Sequence, residues 1–157
     1  MKATLTRGVL RGGEQPPLSA RSPEAAARRP LVGGTSKFSI QTKPLITLSY
    51  HSKGNVIYYG FESQSEDEVS RDFEIGSALQ ETTGYPLIFT QNSTGGYKDW
   101  CIDSLKIPAY TIEVGDESIP HPLGLETLPE MFERNKDVPI VMLNKAKEYQ
   151  NVIDSMI

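Results

Sequence analysis

Ala109-Tyr110-Thr111-Ile112-Glu113-Val114-Gly115, written AYTIEVG, is the strongest strand signal in the chain, with β-branched and aromatic residues closed by a glycine. One residue in it does not match its neighbours. Glu113 stands between Ile112 and Val114, and a carboxylate in an apolar strand is costly unless it is paired, hydrogen-bonded or near a cation. Either it faces solvent on an exposed side of the sheet, or the fold uses the charge. Such a strand needs partners, and the sequence offers three upstream. Leu45–Tyr50 and Asn55–Phe61 read as strands, and Pro86–Phe89 as a shorter one. Glu66–Thr82 reads as an amphipathic helix, with Val69, Phe73, Ile75 or Gly76, and Leu79 at helical spacing and Gly84 as a stop. The stretch NSTGG is a turn, and YKDWCIDSL a helical or irregular segment. After the Pro-rich loop IPHPLG, residues Leu128–Gln150 read as a long C-terminal helix that Pro139 bends or interrupts. Strands separated by helices predict an α/β fold, a mixed sheet with helices on both faces.

At 157 residues the chain suffices for one domain with a real core. Its 38% hydrophobic and 23% charged residues are those of a soluble globular protein, and a net charge of -4 argues against a nucleic-acid partner. No apolar run approaches the roughly 18 residues that span a bilayer, and no secretory signal is visible, so the expectation is a cytoplasmic protein without a membrane partner. The single cysteine, Cys101, excludes an internal disulfide and a multi-Cys zinc site; beside Trp100 it reads as a small packed hydrophobe.

Charge is unevenly distributed. Residues 1–35 carry six basic and two acidic side chains, and the remainder ten basic and eighteen acidic. The start is rich in Arg, Pro, Gly and Ala, lacks aromatics and a sustained apolar period, and is expected to be largely loose. It imitates a transit peptide but has no amphipathic pattern. Within it, Ser22-Pro23-Glu24 reads as the cap and first turn of a short helix. The division expected is an atypical segment over 1–35 and a folded unit over 36–157.

Three features fall at strand ends, where open α/β sheets keep their sites. They are His51, the glycine turn Gly95-Gly96 leading into Asp99-Trp100, and Glu113. Taken alone, His51 reads first as a hydrogen-bonded structural histidine, and His121, between two prolines, as a surface residue.

The order of the motifs adds information. YHSKG (residues 50–54), TGGYKDW (94–100) and YTIEVG (110–115) together resemble the C-terminal half of the zinc carboxypeptidase family. Within it they are most similar to the bacterial γ-D-glutamyl-L-diamino acid endopeptidases, whose wording is also matched by Gly54–Tyr59, Thr83–Leu87 and Lys98–Gly115. The resemblance covers about residues 38–150. It implies a carboxypeptidase-like fold and a metallopeptidase acting on peptides, of peptidoglycan type and containing diaminopimelate. It implies that His51, followed by Ser52, is the third zinc ligand, and that Glu113, after Thr111, is the general base. It also implies that Gly96, Lys98, Asp99 and Ser52 lie on the substrate side, Lys98 reading a carboxylate unless it is simply solvated. Zinc held by two histidines and a glutamate leaves one position for water.

The pattern also breaks. The family's first two ligands come from an upstream H-x-x-E motif, and this chain has two histidines and no such motif. The family's upstream Asn-Arg pair has no counterpart, and its mobile tyrosine is replaced by Gln91-Asn92-Ser93-Thr94, with Tyr97 beyond the glycines. The expectation is an N-terminally truncated domain with an open sheet edge, poorly active alone. The other reading is a non-catalytic peptide-binding remnant that lacks the metal.

Overall fold

A computed structural model of the chain describes residues 33–91 and 96–155. The short helix expected at Ser22-Pro23-Glu24, and Gly95 of the glycine pair, lie outside them. In chain order, helix α1 (Gly33–Thr42) leads to strands β1 (Thr47–His51) and β2 (Val56–Tyr59), and helix α2 (Glu66–Thr83) to strand β3 (Leu87–Phe89). A single turn, α3 (Tyr97–Trp100), runs into a π-helical turn (Cys101–Leu105) and then strand β4 (Ala109–Glu113). A 3-10 turn (Leu125–Thr127) precedes helices α4 (Leu128–Asn135) and α5 (Val138–Ser155).

The four strands form one mixed sheet in the order β1-β4-β2-β3. β1 runs parallel to β4, β4 antiparallel to β2, and β2 parallel to β3. The period of two along each strand then sorts side chains to two faces. Ile57, Tyr59, Tyr110 and Ile112 share the apolar face, where Ile75 and Leu79 of α2 and Val138 and Met142 of α5 complete the main core. The opposite face is mixed. At one end of it Trp100, Cys101 and Ile102 pack with Ala109 and Phe61, so α3 and the π-helical turn cover part of that face. The expected α/β architecture with helices on both faces is what the chain adopts.

Helix α2 begins and ends where its caps dictate. Ser65 Oγ accepts from the Glu68 N–H at 3.3 Å while the Glu68 carboxylate accepts from the Ser65 N–H at 2.8 Å. Gly84 closes the helix in the left-handed region at φ 71°, its N–H donating to Gln80 O at 2.8 Å. The single C-terminal helix expected over Leu128–Gln150 is two helices. Pro139 falls in the first turn of α5, where a missing N–H leaves no bond unmade, so the chain stops after Asn135 and restarts at Val138.

Helix α1 has no counterpart among the elements expected from sequence, and its pattern explains why. It buries Ser36 and Ser39, at 0% and 1% exposure, and turns Phe38 outward at 64%. Ser39 is held by the Tyr97 hydroxyl at 2.5 Å and donates to Thr35 O at 2.9 Å. Apolar periodicity cannot detect a helix that hides its polar side. β1 forms one end of the sheet, with no strand on its outer edge among the described residues.

Candidate functional site

The register of two neighbouring strands builds the site. In the β1–β4 ladder Ser49 stands opposite Thr111 and His51 opposite Glu113. In a parallel pair, opposed residues project to the same face, so the imidazole and the carboxylate emerge side by side. Across β4, the antiparallel pairing sets Tyr58 opposite Thr111. All five are on the mixed face, beyond the part that Trp100 and Ile102 cover.

They line a cleft of about 420 Å³ together with Thr90 and the segment Gly96, Tyr97, Lys98 and Asp99. Glu113 therefore avoids the apolar face altogether: Ile112 fills that face, and the carboxylate one residue later enters the cleft. The strand is consistent with both constraints because its side chains alternate.

The Gly96–Asp99 part of the cleft lining is held by buried hydrogen bonds. Lys98 and Asp99 are 5% and 1% exposed, and the ammonium donates to Gly60 O and to Asp99 Oδ1, each at 2.7 Å. The other Asp99 oxygen accepts from the Gly96 N–H at 3.2 Å, which caps α3. Lys98 is thus not a solvated lysine. It is a buried cation in the cleft wall whose charge Asp99 offsets, and a buried pair of this kind tolerates the loss of one partner poorly. Tyr97 is fixed by Ser39 from α1, and burial pushes its hydroxyl up to about 12, against a smaller lowering from the Ser39 bond. Cys101 beneath it is fully buried, and burial pushes its thiol up too, as expected of a packed residue rather than a nucleophile.

Of the residues singled out from sequence, His51, Gly96, Lys98, Asp99 and Glu113 come together in this cleft. Ser52 follows the end of β1, is exposed, and is outside the cleft lining. His121 is exposed in its loop. Sequence reasoning missed Ser49, Tyr58, Thr90 and Thr111. Ser49 and Thr111 were within reach, each lying two residues before a chosen residue on the same strand. Tyr58 required the β2–β4 register, which no local pattern states.

The donor set does not fit a catalytic zinc. Such sites take three protein ligands, and among the described residues no group of three or more His, Cys, Asp or Glu side chains could hold a metal ion. The cleft brings one imidazole and two carboxylates, Glu113 and the Asp99 that Lys98 holds, and the chain's second histidine is elsewhere.

The class defined by fold and site is therefore an α/β protein whose mixed sheet pairs a histidine and a glutamate at the ends of two parallel strands. No family model matches the chain. It is 36% identical over 77 residues to γ-D-glutamyl-L-diamino acid endopeptidase 1 of Lysinibacillus sphaericus, a match covering 49% of this chain. The likeness to the bacterial endopeptidases of that name, read from the ordered motifs, is borne out by this relative. The matched part amounts to 19% of the relative's own length. Among solved structures, murein-tripeptide amidase MpaA from Escherichia coli O157 superposes with a TM-score of 0.40 at 15% identity, over 78% of this chain and 41% of the other. No helix among the described residues is long and apolar enough to cross a membrane.

Proposed function

We propose that the cleft is the peptide-binding, proton-handling wall of a peptidase-type site for peptidoglycan-type peptides, with Glu113 as its general base. The observation that carries this reading is the His51–Glu113 register, which directs both side chains into one cleft. The name of the endopeptidase relative supports the substrate class. A carboxylate on a central strand is well held to take a proton from water and return it to a leaving amine. Tyr58 and Tyr97 supply flat apolar walls, and Thr111, Thr90 and Ser49 supply hydroxyls for main-chain groups of a peptide. Lys98 has three N–H donors, of which two are spent on Gly60 and Asp99, and the third suits an oxygen of the ligand. Diaminopimelate, which carries both an amine and carboxylates, is the ligand this mixed wall is proposed to take.

Zinc, expected from the resemblance, does not fit the donors among the described residues, where His51 is a single ligand. On its own the chain is accordingly a binder, and hydrolysis depends on donors beyond these residues. Calorimetric titration with a γ-D-glutamyl-diaminopimelate peptide tests both parts. Saturable binding is expected, weakened about tenfold, or ~1.4 kcal/mol, by Tyr58→Ala, with no cleaved product on chromatography. Binding that ignores changes in the cleft rejects the site. Cleavage by the chain alone rejects the reading of it as a binder.

A further inference from the structure

Two loops leave the cleft, one from each of its paired strand ends. The first runs from His51 through Ser52, Lys53 and Gly54 into β2, and the second from Glu113 through Gly115 to Ile119. Main-chain bonds join their stems: the Val114 N–H donates to His51 O at 2.9 Å, and the Gly54 N–H to Gly115 O at 2.8 Å. Their tips are joined by one side chain. Lys53 Nζ donates to Ile119 O at 2.6 Å and also to Glu117 O.

The second loop is closed on itself. Asp116 Oδ1 accepts from the Ser118 N–H at 2.7 Å and the Ser118 hydroxyl at 2.6 Å, and the Ile119 N–H donates to Asp116 O at 3.2 Å. A turn closed in this way moves as a unit, so a grip on its carbonyls is a grip on the stem that carries Glu113. Fixing a lysine side chain costs rotamer entropy. Lys53 is nonetheless tied by two donors to main-chain carbonyls 64 and 66 residues away rather than left in water. Charge-assisted bonds are stronger than neutral ones, and that offsets the ordering.

We propose that Lys53 is a positioning residue: by clamping the Glu117 and Ile119 carbonyls it fixes the His51 imidazole relative to the Glu113 carboxylate across the cleft. It touches neither of them, and it matters to binding only if the peptide-binding function proposed for the cleft holds. The test uses the full chain with isotope-labelled histidine, the His51 signal being assigned by its loss in His51→Ala. Lys53→Met is expected to shift and broaden the His51 imidazole signal and to weaken the γ-D-glutamyl-diaminopimelate peptide about tenfold. Lys53→Arg, which keeps the donors, is expected to restore both. An unmoved His51 signal in Lys53→Met, or no recovery in Lys53→Arg, overturns the proposal. Should Lys53→Met fail to fold, Asp116→Ala removes the acceptor of both side-chain bonds that close the turn, and it must move the same signal. A wild-type chain that binds no peptide rejects the proposed function, while the His51 comparison still judges Lys53.

Discussion

Three carboxylates in this chain show how position sets their chemistry. Glu113 was legible as an anomaly because both neighbours are apolar, and the period of two explains its escape into the cleft. Glu68 is held below the ordinary carboxylate range, chiefly by the Ser65 backbone N–H that it accepts. Asp72 goes the other way: burial raises it, and the bonds from Arg71 and Gln64 oppose that only in part. The signs of their linkage to folding are therefore opposite. A folded pKa lowered below the unfolded one, as for Glu68, gives stability present above the unfolded value and lost as pH falls through the folded one. A raised folded pKa, as for Asp72, gives a contribution complete below the unfolded value and lost as pH rises through the folded one. Melting temperatures followed from about pH 3 to about pH 7 check this. Glu68→Gln is expected to gain less stability than wild type as pH rises, and Asp72→Asn to gain more. Parallel curves for all three proteins would contradict both directions. The Ser65–Glu68 cap was not among the features read from the sequence, and nothing local to Asp72, or to Lys98, announced burial.

Helix α2 was legible from end to end, because apolar spacing and the Gly84 stop agree. Its two glycines do different things, and that difference was hidden. Gly84 needs its left-handed φ of 71° and has open space where a side chain would go. Gly76 lies mid-helix, where a Cβ would approach the Tyr110 ring to 2.9 Å and Leu87 to 3.1 Å. Gly84→Ala is expected to cost about 1 kcal/mol from backbone strain alone. Gly76→Ala gains about 1 kcal/mol of helix propensity but overpacks the helix–sheet contact by about 1–3 kcal/mol, so a net loss is expected. Urea unfolding of both variants measures the two terms. A Gly76→Ala protein more stable than wild type would mean that α2 stands further from the sheet. The break between α4 and α5 was half legible, since Pro139 marked a disruption but not that it would open a new helix. α1 was illegible, because a helix held by buried serines has no apolar stripe to read.

Across the whole molecule, the sheet divides the labour. One face is a continuous apolar core under α2 and α5, and the other is partly covered and partly the cleft. The strands and their order along the chain followed from the sequence, and the ordered motifs pointed to His51 and Glu113. That these two meet is a matter of register, set by long-range pairing that no local pattern encodes. The sequence showed two histidines and no H-x-x-E, and the structure leaves His121 outside the cleft, so His51 has no second imidazole beside it. The expected outcome follows from that count. Purified without chelators and dialysed, the chain retains well under one equivalent of zinc. Its melting temperature also does not rise with added zinc as linkage would require, where ligand at 100 times Kd adds about 2.7 kcal/mol. Elemental analysis and a thermal titration read these two quantities without any assay of activity. One equivalent of zinc kept through dialysis and released by His51→Ala would show that two donors and the surrounding cleft suffice, and the requirement for three protein ligands would have to be abandoned for this fold.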